Sequence, residues 1–322
     1  MPLLVLDKVR TWYIIRKGML GGKLYVRAVD GVTLELNRGE IIALVGESGC
    51  GKTTLGKTAL RLVEPVAGRV IFDGKDITKV PESKLKWFRK RAQMIFQDPY
   101  SSLDPMHTIL YTLEEPLIVH NMGSREERYE RVCKALEEVK LTPPEDFLTK
   151  YPHMLSGGQR QRVAIARALI LEPDFIVADE PVSMLDASVR VEILMLLKEL
   201  QERKNIAMLY ITHDMSTAKY ISHKIAVMYA GKLVEMGDFK EIVRSPLHPY
   251  TQALIAAIPE PDPSNRFKER EVVPGEPPNL ISPPPGCRFH PRCPYRRPVC
   301  SKVEPRLIEV EKGHFVACHL YE

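Results

Sequence analysis

The sequence lacks several features that would assign it early to a class. No uninterrupted apolar run approaches the roughly 18 residues of a membrane-spanning helix, so no span is expected. The N-terminal MPLLVLDKVR places Asp7 where a secretory leader keeps its apolar stretch, so export is not expected either. An excess of one charge is also missing. The 46 Lys and Arg against 41 Asp and Glu leave +5, too little by itself to mark a nucleic-acid binder. No internal repeat is present. Cysteine and proline are sparse through most of the chain and crowd its end. Four of 6 cysteines follow residue 286, and 13 of 26 prolines lie between Pro259 and Pro305. That unevenness argues against one uniform enzyme domain running to the C-terminus. What remains is ordinary for a soluble globular chain: 44% apolar and 27% charged residues. At about 150 residues per domain, 322 residues suggest two, with ample chain for a core.

Residues 1–45 read as strands, with apolar or alternating runs such as LLVLD and GVTLELN between polar turns. Glu40–Val45 is a buried-strand pattern that runs into a glycine-rich loop, and a helical pattern follows from Lys52 to about Leu62. From about Thr108 to Tyr151 the pattern is helical, with Ser124–Glu127 as a capping box. Val132, Cys133, Leu136 and Val139 fall near one face there, which makes Cys133 a core filler. Strands at Phe175–Ala178 and Ile206–Ile211 alternate with helices at Gly158–Leu171 and Val189–Glu202, implying a parallel sheet. Patterning fades after Pro259, and 259–286 reads as a proline-rich linker.

Three motifs carry chemistry. Gly46-Glu-Ser-Gly-Cys-Gly51-Lys52-Thr53 satisfies G-x4-G-K-[ST], between a strand and a helix. Glycines let successive amides point inward at phosphate oxygens, and the positive end of the helix adds to that field. Lys52 can reach the β- and γ-phosphates, and the Thr53 hydroxyl can ligate Mg2+. The nucleotide-binding set here is Gly46, Ser48, Gly49, Cys50, Gly51, Lys52, Thr53 and Thr54. Cys50 need not be reactive, since the pattern leaves its position open. Asp179 and Glu180 end an apolar strand. The first carboxylate can hold Mg2+ through water, and the second can orient or deprotonate an attacking water. Together these give a P-loop NTPase. Leu155-Ser156-Gly157-Gly158-Gln159 opens a second helix whose amides and serine hydroxyl suit phosphate. One nucleotide cannot easily use both helix ends of one chain. A partner chain would then supply the second end, giving a head-to-tail dimer around two ATP molecules.

With these elements in this order, the sequence resembles the nucleotide-binding subunits of ABC transporters. The matching stretches are GESGCGKTT at 46–54, Phe96-Gln97, LSGGQ at 155–159, IVADEP at 176–181, SMLD at 183–186 and ITHD at 211–214. The resemblance implies an α/β fold of the P-loop NTPase ABC-cassette type. That fold has a RecA-like parallel-sheet core, an N-terminal antiparallel β-subdomain and a helical subdomain at about 105–172. It also implies roles. Gln97 would contact Mg2+ and the attacking water, beside Thr53 and Asp179. Asp186 would couple two sites across a dimer. His213 would contact the γ-phosphate, making Glu180, His213, Lys52 and Gln97 the catalytic set. Tyr13 would stack on adenine, with Trp12 the competing residue. Met184 departs from the small residue usual at its position and leaves Asp186 in place.

The resemblance narrows further through FQDPYSSLDP at 96–105, SPLHPYTQAL at 245–254, PGEPP at 274–278 and GCRFHPRCP at 286–294. These resemble the oligopeptide, dipeptide and nickel importer branch, and FQDP with YIIRKGMLGG favours its F-type ATPase subunit. That implies residues 1–258 as ATPase, 259–286 as linker and 287–322 as a small four-cysteine extension. The implied partners are a homologous D-type ATPase, two transmembrane permease subunits and an extracytoplasmic solute-binding protein acting through the permease. The implied location is the cytoplasmic face of the cell membrane. The cargo would be peptide, with an oligosaccharide or nickel importer, or a soluble ABC ATPase outside transport, as alternatives. Cys287, Cys293, Cys300 and Cys318 are spaced C-x5-C-x6-C-x17-C, which suits a zinc site, a disulfide pair or an iron–sulfur cluster. A cytosolic ATPase rarely holds disulfides, and the C-x2-C knuckle usual for zinc is missing. Arg288, Arg292, Arg296 and Arg297 would offset the negative charge of a cluster. Members of the branch carry a [4Fe–4S] cluster, so the resemblance implies ATP, Mg2+ and that cluster, with Zn2+ as the alternative.

Overall fold

The computed structural model describes residues 1–16, 22–258 and 275–322. Part of the 259–286 linker and of the YIIRKGMLGG stretch therefore lies outside the described residues. The chain divides into two compact units. One holds residues 1–35, 41–78 and 211–322; the other holds 36–40 and 79–210.

The first unit contains a four-stranded sheet and a larger layer. In the sheet, β1 (Leu4–Arg16) lies between β2 (Lys23–Leu36) and β4 (Ala67–Phe72), and β5 (Lys75–Asp76) follows β4. The β1–β4 pairing is antiparallel and slips between Asp7 and Arg10, where a bulge bends the strand. In the larger layer, β3 (Ile41–Val45) pairs in parallel with β9 (Lys224–Tyr229), the register running from Ile42 opposite Lys224 to Val45 opposite Val227. All five residues of β3 are buried, which explains its unbroken apolar run. Antiparallel β10 (Lys232–Asp238) continues the layer.

The C-terminal segment extends this same layer. β12 (His314–Val316) pairs antiparallel with β10, and β11 (Ile308–Glu311) pairs with β12. A buried carboxylate fastens them. Glu235 on β10 is fully buried and accepts hydrogen bonds from the Leu247 amide (2.8 Å), the His248 amide (2.9 Å) and His314 Nε2 (2.8 Å). A buried polar side chain persists only where such partners replace water.

His248 caps the helix Pro249–Ala256, its Nδ1 accepting from the Tyr250 amide at 3.0 Å. Complete burial pushes its pKa down to about 3. The unfolded chain therefore binds a proton below about pH 6.5 that the native chain refuses, and stability rises with pH across that window. The contribution is full above about pH 6.5 and is lost as pH falls toward 3. Lowering pH from 7 to 5.5 should cost about 1 kcal/mol more in the parent than in His248→Asn, which keeps a capping acceptor without the titration. Denaturant melts at the two pH values check this; equal pH slopes would refute it.

The second unit carries the strand order β8–β7–β6, from Ala207–Thr212, Phe175–Asp179 and Ala92–Ile95, with β6 and β7 parallel. Its helices include Ile109–Val119, Arg125–Glu138, Gly157–Leu169 and Ala187–Lys204. The Ser124–Glu127 capping box forms in both directions: the Glu127 amide donates to Ser124 Oγ and the Ser124 amide to Glu127 Oε2. Val132, Leu136 and Val139 are fully buried. Cys133 is not the core filler expected. It sits half-buried at the rim, because one residue past Val132 is turned about 100° around the helix.

Candidate functional site

In the first unit, β3 delivers the chain into the loop Gly46–Gly51 and the helix Lys52–Ala59. Two glycines are sterically obligatory. A Cβ on Gly46 (φ 154°) would stand 2.1 Å from the Met228 carbonyl oxygen, and one on Gly51 (φ 108°) 2.0 Å from the Ala28 carbonyl oxygen. Ser48 and Gly49 are exposed, Cys50 and Lys52 are buried, and Thr53 and Thr54 are half-buried. Lys52 Nζ donates to the carbonyls of Gly46 (2.7 Å) and Glu47 (2.9 Å), which holds the ammonium inside the loop's curve. Burial pushes the Cys50 thiol upward against the pull of Lys52, so it stays a thiol at neutral pH.

Tyr13 and Trp12 point to different neighbours. Tyr13 is exposed, with its hydroxyl 3.5 Å from Thr54 Oγ1. The Trp12 ring packs edge-on against Tyr25, and Arg27 lies over it. The ITHD turn puts His213 on the surface, between β8 and a helix capped by Asp214, whose side chain accepts from the Ser216 amide at 2.8 Å.

In the second unit, β7 is buried throughout and ends on Asp179, which is 4% exposed. Glu180 follows in a left-handed backbone, φ 46°. The Ser183 amide (3.2 Å) and hydroxyl (3.0 Å) both donate to the Glu180 carbonyl and fix the turn. Gln97 Nε2 donates to Glu180 Oε2 at 2.9 Å, so those two sequence-predicted residues meet. Ser156 caps Gly157–Leu169: its hydroxyl accepts from the Gln159 amide (3.3 Å), and Gln159 Oε1 accepts from the Ser156 amide (3.0 Å). Gly158 is needed for packing, since a Cβ there would meet Val189 Cγ1 at 2.7 Å. Asp186 is exposed at the start of Ala187–Lys204 without a capping bond from its side chain, and Met184 is exposed beside it.

The four late cysteines converge in the first unit. The other three thiols all act electrostatically on Cys287, and Cys293 and Cys300 act on Cys318. Each sulfur also receives a backbone amide: Phe289 to Cys287, Tyr295 to Cys293, Leu320 to Cys318, and Arg297 to Cys300 at 3.4 Å. Such amides stabilise thiolates held by a metal. Desolvation raises the pKa of Cys287 to about 11 and also raises Cys293 and Cys318. Among the described residues, no three His, Cys, Asp or Glu side chains gather closely enough to share one metal ion.

The arginines expected to offset a cluster's charge find different partners. Arg297 acts on Cys318. Arg288 and Arg292 turn away to pair with Asp30 and Glu47, because those carboxylates offer direct ion pairs. Neither those pairs nor Glu235–His314 had a local signal in the sequence.

A family model described as ABC transporter matches residues 29–183, and one described as oligopeptide/dipeptide transporter, C-terminal region, matches 234–300. The chain is 47% identical over 322 residues to the oligopeptide transport ATP-binding protein AppF of Bacillus subtilis (strain 168), covering 99% of this chain and 97% of that protein. The chain belongs to the ABC transporter family. The chain is also 42% identical to the dipeptide transport ATP-binding protein DppF of Escherichia coli (strain K12), over 98% of this chain and 94% of the relative. Among solved structures, the ABC cassette MJ0796, a dimer in a post-hydrolysis state bound to ADP and Pi, matches with a TM-score of 0.65. That match has 31% identity and covers 73% of this chain and 98% of MJ0796. Among the described residues of this ABC family member, no helix is long and apolar enough to cross a membrane.

Proposed function

We propose that this chain binds and hydrolyses ATP to power a peptide importer, pairing head-to-tail with a second ATPase subunit on the cytoplasmic face of permease subunits. The observation that carries this is chain-long identity to peptide-import ATP-binding proteins, extending into the C-terminal region. A homologous D-type ATPase, two permease subunits and a solute-binding protein are the proposed partners. The same engine in an oligosaccharide or nickel importer is the second reading. Measuring ATPase activity of the full complex with and without peptide-loaded binding protein tests this. Stimulation by sugar or nickel but not by peptide would overturn the cargo, and no hydrolysis in any assembly would overturn the activity.

The chain's own groups would divide the work as follows. Lys52 and the amides of residues 46–54 bind the phosphates, and Tyr13 stacks on adenine. Thr53, Gln97 and buried Asp179 offer the oxygens that suit Mg2+, the last through water. Mg2+ would supply charge neutralisation on the phosphate oxygens. Glu180, oriented by Gln97, takes the proton of the attacking water, and His213 holds the γ-phosphate. Ser156, Gly157, Gly158 and Gln159 face the partner's nucleotide, and Asp186 links the two sites. Residues 1–258 would be the ATPase, 259–286 the linker and 287–322 the extension.

The extension would hold a [4Fe–4S] cluster through Cys287, Cys293, Cys300 and Cys318. The convergence of the four cysteines, with the Arg297 amide donating to Cys300 Sγ, supports this reading. A single zinc ion is the second reading, since the segment has no C-x2-C or C-x4-C knuckle of the kind usual for zinc. Anaerobic purification should give a brown protein absorbing near about 400 nm with iron and sulfide in equal amounts. One equivalent of zinc and no such absorbance would reverse the choice.

A further inference from the structure

Position 47 is free in the phosphate-loop motif, and here it carries a glutamate with a distant partner. Arg292, beside Cys293, donates from Nη1 to both Glu47 carboxylate oxygens, at 3.1 and 2.9 Å, and to the Tyr229 hydroxyl at 3.3 Å. Its side chain is 9% exposed. The Glu47 amide donates to the Tyr250 hydroxyl at 2.9 Å, and the Glu47 carbonyl is one of the two that hold Lys52. Tyr229, Tyr250 and Phe289 pack ring against ring behind this contact, with centroids 4.6 to 5.4 Å apart.

A second arm grips the loop at position 50. Arg288, beside Cys287, is buried; it donates to the Ala230 carbonyl and pairs with Asp30. The next residue, Gly231, donates its amide to the Cys50 carbonyl at 2.8 Å and accepts from the Asp30 amide at 2.9 Å. The two arginines next to cysteines are therefore tied to two points of one phosphate-binding loop.

We propose that Arg292 is a positioning residue for the phosphate loop, acting through Glu47 on the peptide that holds Lys52, so that the four-cysteine extension sets the affinity for ATP. This rests on the reading of the loop as an ATP site. The ion pair is mostly shielded from water, so removing one partner breaks the hold on Glu47 and lets the peptide relax. Nothing in nucleotide chemistry otherwise requires a charge at either residue.

The test is ATP titration of the full-length protein with Arg292→Gln, Glu47→Gln, the double variant, and Arg296→Gln as a control on an exposed arginine of the same segment. Each single variant should weaken ATP binding by about five- to tenfold, and the double should be no weaker than the weaker single. The control should bind as the parent does. A merely structural role for Arg292 would leave ATP affinity of the folded protein unchanged. Parent-like affinity in Glu47→Gln, or losses that add fully in the double, would overturn the proposal. Glu47→Gln leaves the extension untouched and decides the matter even where Arg292→Gln fails to fold. Failure of the parent itself to bind ATP would instead overturn the reading of the loop.

Discussion

Glu180→Gln should cut ATP turnover of the assembled transporter about a hundredfold or more while leaving ATP affinity within about threefold. The substitution keeps the size of the side chain, so the turn held by Ser183 survives. What disappears is the proposed base. A carboxylate accepts a proton from water, and an amide at neutral pH does not. Gln97 Nε2 now donates to a carboxylate oxygen at 2.9 Å; facing an amide it can still find the oxygen, so orientation is kept and basicity is lost. With binding intact and hydrolysis stalled, ATP-closed dimers should accumulate on gel filtration. Turnover at the parent rate in the assembled complex would refute the role of Glu180.

Gly51→Ala should weaken ATP binding at least about a hundredfold and lower the melting temperature. The two causes are separable. Its φ of 108° is strained for any residue with a side chain, and the added Cβ would stand 2.0 Å from the Ala28 carbonyl oxygen. That obstacle is backbone, so relief requires moving β2 or the start of the Lys52 helix. About 2.7 kcal/mol lost at the loop corresponds to a hundredfold in affinity. Gly49→Ala separates strain from clash. Gly49 has φ 75° and nothing within 4 Å of the added atom, so it should lose much less. Equal losses at the two positions would refute the steric account. Titration with ATP and thermal melts of both variants give the answer.

The strand, glycine turn and helix around residues 46–53 could be read from the sequence because their signals are contiguous. Gly46, Gly51, Lys52 and Thr53 lie within one turn, so spacing alone carries the pattern. The capping boxes at Ser124–Glu127 and Ser156–Gln159 are local for the same reason. Cys133 was misplaced by one residue of helical phase, which a short apolar stripe cannot resolve. Glu235 could not be read at all. An isolated glutamate in a strand looks solvated, and only the fold brings the Leu247 and His248 amides and His314 to it. Arg288 and Arg292 were visible as charge near the cysteines, but the carboxylates they choose lie far back in the chain.

That separation has a consequence in the order of synthesis. Glu47 and Arg292 are 245 residues apart. At about 5–20 residues per second, roughly 12 to 50 s pass between the two leaving the ribosome. Through that interval the loop exists with its glycines and Lys52 but without either arginine arm. The last cysteine, Cys318, emerges later still. A chain cut short before the extension would carry a complete nucleotide motif and a slack nucleotide grip. On the proposal above, full ATP affinity would follow only once the segment that carries Arg292 has been made.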